Sequence, residues 1–503
     1  MFDLRVDGGC YTTAALAFAT SIIILGACLL RRPAFPKEAP VRSPEDWPIL
    51  GSLRFFTQHV DFNLKGLALS HSNNFSFYLG KHQIVSIGAK GRKTYFESHA
   101  LDAGEGYATL LMGTSNRQVG TNKASKRGGH QAEFGKYVVL LLSNTYLSRR
   151  APVLAGDVTR VMIHLIRRAS RSAEIMNPTE EIYHVVWQLT NRLLGADEIA
   201  DSPELLERSL RIFEHLSSGA DPLRVIFPAI PTLSHVRRLL AGAKLFGMLS
   251  SFVDKRKVSS NGGLDALQFL MDIGEDKARI TAFIAGGLVA GQLNTGVNAA
   301  WLLIYLAANK HWYDRVQEEV DRALTRRFTG HNIPATTAIN ILSSLSFEEW
   351  TSEFPLIDHS LKETIRFELP GTFCRKNTSG RPIPIAESEG EAIPKDAYAV
   401  FLTDNCHFNA DIYTDPLRWD PGRYMDGRAE DAKEPYSYAA KMEVIMVTAF
   451  FFALFDFHLV DSSGQFTNMV PEPARSRFGA GVSSGRKPKL LYKLRDLRGD
   501  VET

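Results

Sequence analysis

The chain has 503 residues and is 45% hydrophobic, 22% charged and 10% aromatic, with 58 Lys and Arg against 55 Asp and Glu. The length alone allows about three domains, and a net charge of +3 leaves neither a basic footprint for nucleic acid nor an acidic tail. Cysteines at positions 10, 28, 374 and 406 are too few and scattered for a disulfide framework, and no pair has zinc-site or thioredoxin spacing.

No charge occurs between Asp7 and Arg31, and residues 10–30 are largely apolar, with Ile22, Ile23, Ile24 and Leu25 at the centre. At about 1.5 Å per residue such a helix crosses the roughly 30 Å hydrocarbon core. A cleaved signal peptide would have a shorter apolar run with its basic residues in front. Here Arg31, Arg32 and Lys37 lie behind it, while Arg5 is offset by Asp3 and Asp7. The pattern predicts a lumenal stretch at 1–9, a single-pass anchor at 10–30 and a cytosolic body. Pro33, Pro36, Pro40, Pro44 and Pro48 then fall at intervals of three or four, ending at Gly51. This spacing predicts an extended, semi-rigid hinge over 31–51.

From 52 to 503 no repeat, low-complexity tract or polar linker divides the chain. Strand patterns occur at 74–78 and 83–87, and helical patterns dominate the middle, including 205–216 and 311–326. Pro228 and Pro231 break one helix before another begins at Ser234. The reading is one large, mostly α domain with a minor β part. The stretch 280–309 carries no charge, but Gly286, Gly287, Gly291, Gly296, Gln292, Asn294 and Asn298 interrupt it. A buried central helix explains it more simply than a second membrane span, and its small residues allow close approach of a ligand or a neighbouring backbone. The run 444–455 is too short to span a bilayer.

Glu363 and Arg366 are three apart in a helical context at 361–367, on one face where they can pair. Alone this is a weak signal, because such pairs are usually solvated. Pro370-Gly371-Thr372 ends the helix, and Arg375 opens what reads as a polar turn. His407, Asp415-Pro416 and Trp419-Asp420-Pro421-Gly422-Arg423-Tyr424 follow. An arginine placed by prolines can join the first pair in a buried Glu/Arg/Arg cluster, since guanidinium stays charged and grips carboxylate with two hydrogen bonds.

This combination resembles the cytochrome P450 family over nearly the whole chain. Glu363, Arg366 and Arg423 match its ExxR pair and the arginine of its PxRF-type segment. The run Ala290-Gly291-Gln292-Leu293-Asn294-Thr295 lies where the family's oxygen-activating helix belongs, with Leu293 and Asn294 at the usual acid and threonine positions. That variant looks like the microsomal sterol- and prostanoid-type branches. The anchor, the hinge and the wording of 415–424 are similar to fungal secondary-metabolite P450s. The resemblance implies a haem b monooxygenase at the endoplasmic reticulum membrane, fed by NADPH-cytochrome P450 reductase and oxidising an apolar small molecule that enters from the membrane side. It implies Asn294 and Thr295 as catalytic residues, the Asn294 amide taking over from the usual hydroxyl. Ala290, Gly291, Gln292, Gly371 and Thr372 would line the substrate pocket.

One element of the family pattern is missing. P450 chemistry uses a cysteine thiolate on the haem iron, carried in an FxxGxxxCxG loop ahead of the last long helix. Here Pro435-Tyr436-Ser437-Tyr438 passes straight into Ala439-Ala440-Lys441-Met442-Glu443, and no cysteine follows Cys406. The loop reads as cut out near 438–440, while Lys441 and Glu443 still match the helix behind it. A clean excision points to a splicing or gene-model loss, since gradual decay would also have eroded Glu363, Arg366 and Arg423. The alternative reading is a catalytically inactive P450-fold protein, and the literal chain is expected to be inactive. Phe478-Gly479-Ala480-Gly481 imitates the opening of the lost motif but lies beyond the last helix without a cysteine. Tyr436 or Tyr438 as a phenolate ligand is the less economical reading of two tyrosines. Gly481-Val482-Ser483-Ser484-Gly485 fits the hydrolase nucleophile elbow, but the last histidine, His458, precedes it, so the triad order fails.

Overall fold

A computed structural model describes Thr20 and residues 32–113, 129–259, 262–330, 333–368, 371–430, 441–471 and 487–495. The anchor at 10–30 (Thr20 apart), the proposed excision near 438–440 and the run 478–485 fall outside the described residues.

Aromatic and β-branched runs give the strands. In chain order they are β1 (Phe75–Leu79), β2 (His82–Ile87), β3 (Leu101–Asp102), β4 (Glu174–Met176), β5 (Thr372–Asn377), β6 (Ile383–Pro384), β7 (Ala392–Ile393), β8 (Tyr398–Leu402), β9 (Phe455–Val460) and β10 (Lys489–Leu494). Leu79 pairs with His82, and Gly80 at φ +59° supplies the left-handed backbone that so tight a turn needs. The main sheet runs β1-β2-β8-β5-β3, with β8 parallel to β2 and β5 antiparallel to β8. The remaining strands form a β4-β10-β9 sheet and a β6-β7 pair. Arg375, expected in a polar turn, instead sits within β5 opposite Ala399; Thr372, Phe373 and Cys374 favour an extended backbone that a neighbouring strand can pair.

The proline-rich hinge is bound to the sheet as a strap. Ser76 N donates to Val41 O at 2.8 Å, Ser43 N to Ser76 O at 2.8 Å, and Ser52 N to Tyr78 O at 2.8 Å. The Asp46 carboxylate gathers Arg42 Nε at 2.8 Å, Ser52 Oγ at 2.7 Å and the Tyr78 amide at 3.0 Å. The chain is thereby fixed along β1 from Val41 onward.

The helical body is organised on the central helix Lys277–Ala308, opened by Asp276, whose side chain accepts from Arg279 N. Among the described residues it alone is long and apolar enough to cross a membrane. It instead packs inside the protein, most extensively against helix Pro178–Leu194, and the stretch Ala299 to Leu306 is wholly buried. Two glycines permit that approach. A Cβ on Gly291 would lie 2.8 Å from Thr190 Cγ2, and one on Gly296 would lie 2.8 Å from the Tyr183 ring. The break at Pro228 and Pro231 separates helix Pro222–Ile226 from Leu233–Ser259. The last helix, Lys441–Leu454, is buried from Met442 through Leu454, as an all-apolar helix must be, and runs directly into β9.

The helix carrying Glu363, Pro355–Glu368, has its N-terminus held from another helix. Glu319, on Lys310–Thr325, accepts Leu356 N at 2.7 Å and Ile357 N at 3.2 Å. A carboxylate facing those amides completes orphan donors and meets the positive end of the helix dipole. Glu319→Ala is expected to cost about 3 kcal/mol in urea unfolding, because two buried amides lose their acceptor. Glu319→Gln, which keeps one carbonyl oxygen, is expected to lose about half as much. A loss under about 0.5 kcal/mol for the alanine variant would contradict the capping role.

Candidate functional site

Glu363 has no exposed surface, and Arg366 and Arg423 are 2% and 1% exposed. Arg366 grips the carboxylate in two places, Nε to Oε2 at 2.8 Å and Nη2 to Oε1 at 2.7 Å. Arg423 Nε reaches Oε1 at 3.0 Å, the Asp420 amide reaches the same oxygen at 2.8 Å, and the Tyr424 hydroxyl donates to Oε2 at 3.3 Å. The cluster expected from spacing is therefore assembled, with two donors, Asp420 N and Tyr424, that the spacing alone did not reveal.

The outer guanidinium edges tie this centre to the loops around it. Arg366 donates to the carbonyls of His407 at 2.5 Å and Pro416 at 2.7 Å. Arg423 donates to those of Thr414, Asp415 and Arg418, and pairs with Glu430 at 3.1 Å. Burial disfavours the Arg366 cation, but its hydrogen bonds to Glu363 outweigh that penalty and hold its pKa above the usual arginine value. Pro421 sets the short 3-10 turn, with Asp420 accepting from Gly422 N, and so aims Arg423 inward.

The motif on the central helix is split between two faces. Ala290 and Asn294, one turn apart, are exposed in mid-helix, flanked by the part-exposed Val289, Leu293 and Val297. Together they make an accessible apolar face with one amide in it. Asn294 Nδ2 donates back to Ala290 O at 2.8 Å, leaving its Oδ1 toward the open side. Thr295 is 3% exposed and its hydroxyl has no partner. Gly291 faces Thr190. Gln292 is fully buried, donating to Tyr183 O at 2.9 Å and accepting from Thr190 Oγ1 at 3.4 Å. Gly371 pairs with Thr403 through both its amide and its carbonyl, and Thr372 is buried at the start of β5. The structure thus brings Ala290 and Asn294 to the open face and turns Gln292 into the core.

Glu443 extends this buried polar set. It lies on the last helix, is 3% exposed, and hydrogen-bonds Thr190. Burial pushes its carboxyl from 4.5 up to about 8, against the Thr190 contact, which pulls the other way. Thr190 Oγ1 donates to Gln292 Oε1 at 3.4 Å, so the Glu443, Thr190 and Gln292 side chains meet between three helices.

The sequence pattern of the cytochrome P450 family matches residues 41–440. The chain is 27% identical over 474 residues to cytochrome P450 monooxygenase AacuE of Aspergillus aculeatus, covering 90% of this chain and 93% of that protein. It is 26% identical over 491 residues to cytochrome P450 monooxygenase nsrP of Aspergillus novofumigatus, covering 91% and 92%. A lanosterol 14-alpha demethylase of Candida tropicalis matches at 25% over 374 residues, covering 71% and 66%. With the helical body, the minor sheet and the Glu363 cluster in place, the chain belongs to the cytochrome P450 family.

That family implies haem, and the described residues fit part of it. The accessible face around Ala290 suits a flat apolar ring. Arg375, part-exposed on β5, stacks over Tyr95 and Phe96 at 5.3 and 5.9 Å and has no ion-pair partner among the described residues, as suits a haem carboxylate. Neither described cysteine is placed to supply an axial thiolate. Cys374 is fully buried among Phe55, Phe75 and Tyr398, and burial pushes its thiol far above the usual value. Cys406 is packed in a second cluster with Val85, Tyr95 and Phe401. Neither belongs to the core that contains the central and last helices.

Two outcomes follow from these buried groups. Glu363→Gln is expected to cost about 3–5 kcal/mol in chemical denaturation, since it leaves two buried guanidinium groups short of countercharge; a cost below about 1 kcal/mol would contradict the cluster's role. The second concerns pH. Unfolded, Glu443 titrates near 4.5; folded, it keeps its proton to about 8, so the folded state binds more protons across that interval. Stability should fall as pH rises through it, by up to about 1.4 kcal/mol per unit. Glu319, raised by burial to about 7, acts with the same sign over a shorter interval. Glu443→Gln should flatten the curve between about pH 7 and 8, and parallel curves for parent and variant there would refute a protonated Glu443.

Proposed function

We propose that the chain is a cytochrome P450 monooxygenase in lineage and design, built to oxidise an apolar small molecule in natural-product biosynthesis. The single observation that carries the substrate class is the accessible mid-helix face of the central helix: Val289, Ala290, Leu293 and Val297 around one amide, Asn294. Such a surface recognises an apolar body by shape and burial and orients it with one hydrogen bond. Relatives named as cytochrome P450 monooxygenases support the reaction class. Residues 10–30 would hold the protein in the endoplasmic reticulum membrane with its body cytosolic, and NADPH-cytochrome P450 reductase would supply electrons. Asn294 would hold a water or polar substrate atom through its free carbonyl oxygen, and the buried Thr295 would stiffen the helix beneath it. Arg375 would receive a haem carboxylate.

A second reading is supported by the position of the cysteines: a P450-fold protein without haem-thiolate ligation, inactive as written. The two readings concern different parts of the molecule, since a substrate face can persist without an axial ligand.

Binding tests the first reading without needing turnover. Nile red fluorescence, competed by lanosterol, is expected to report an apolar site in the purified chain. Ala290→Phe fills the face and should weaken probe binding at least about tenfold, while Asn294→Ala, which removes one hydrogen bond, should weaken it less. Unchanged binding in Ala290→Phe would show that the apolar face is not the site.

A further inference from the structure

We infer that the chain as written holds no thiolate-ligated haem, and that the loss is confined to the segment between Glu430 and Lys441 of an otherwise sound scaffold. The inference rests on the monooxygenase reading only for its expectation of a thiolate.

Each described cysteine is committed elsewhere. Cys374 lies within β5, paired with Val400 of β8, its Sγ directed at Thr372 O at 3.5 Å. To reach a haem on the central helix, β5 would have to leave the middle of the main sheet and expose the Phe55, Phe62 and Phe75 cluster. Cys406 is 1% exposed, in the short helix Asp404–His407, with its amide bonded to Thr403 O at 2.9 Å. Cys10 and Cys28 belong to the apolar run read as the membrane anchor, and the strap holds the body to a fixed path from Val41 on.

Both ends of the segment are sound. On the near side Glu430 pairs with Arg423 at 3.1 Å and with Arg428 at 2.7 Å. On the far side Lys441 Nζ pairs with Asp358 at 3.2 Å, tying the last helix to the helix of Glu363. Glu443 is joined to Thr190. Of these ion pairs Arg423–Glu430 is the buried one, and a chain decaying at random would lose such a pair early, because breaking it strands a buried charge. Between the two ends, residues 431–440 read Asp-Ala-Lys-Glu-Pro-Tyr-Ser-Tyr-Ala-Ala. They contain no cysteine, histidine or methionine, so Tyr436 and Tyr438 are the only residues there of the types that serve as axial haem ligands.

The test is the reduced, carbon-monoxide-bound difference spectrum of the full chain in microsomes. It is run beside a variant that carries an FxxGxxxCxG segment inserted between Tyr438 and Ala439. The parent should show a thiolate-type Soret band at least about tenfold weaker than the restored chain, or none. A phenolate- or histidine-type spectrum, or no bound haem, agrees with the inference. A thiolate-type band in the parent overturns it, and Cys374→Ser, Cys406→Ser, Cys10→Ser and Cys28→Ser would then identify the ligand. A restored chain that unfolds cooperatively, yet still lacks the band, overturns the claim that the loss is confined. If the restored chain gains the band but apolar probes never shift it, the substrate reading fails and this inference stands.

Discussion

A carboxylate with no exposed surface must be compensated where it stands, and Glu363 sets that requirement for the helix that carries it and the loops packed against it. Two guanidinium groups, one backbone amide and one phenol meet its two oxygens. The remaining arginine hydrogens are spent on carbonyls between His407 and Arg418. Residues 407–430 carry little regular structure, and beyond their own turn hydrogen bonds the two arginines tie them to the helix of Glu363. Their geometry therefore depends on this ion cluster, as does the short turn that presents Arg423. Glu319 acts one step further back, fixing the start of the helix from which Glu363 and Arg366 project.

Much of this was legible in the residues, because it depends on short-range rules. Glu363 and Arg366 are three apart on a helix, and prolines at 416 and 421 bracket the loop that returns Arg423. The central helix was separable from a membrane span by its glycines and amides. What stayed hidden has a common physical origin. Consecutive residues on a helix are rotated by about 100°, so the six-residue run from Ala290 to Thr295 wraps the helix and cannot all face one pocket. Ala290 and Asn294 share the open side, while Gln292 turns toward Thr190, 102 positions away in sequence. Glu319 likewise meets amides 37 and 38 residues on. No spacing rule spans such distances. Arg375 was misplaced because a glycine-terminated helix suggests a turn, whereas pairing with β8 makes Thr372–Asn377 a strand.

The molecule therefore presents a P450 scaffold whose Glu363 cluster is assembled and whose described cysteines are both buried away from the central helix. The Glu363 cluster and the Glu319 cap are closed sets of protein partners. Lys441 and Glu430, on either side of the stretch 431–440, both hold ion pairs.

X-ray absorption at the iron edge tests the absent thiolate most directly, on protein purified from cells supplied with a haem precursor. The account predicts either no bound iron or haem iron whose axial scatterer is nitrogen or oxygen. A sulfur scatterer on the haem iron would contradict it.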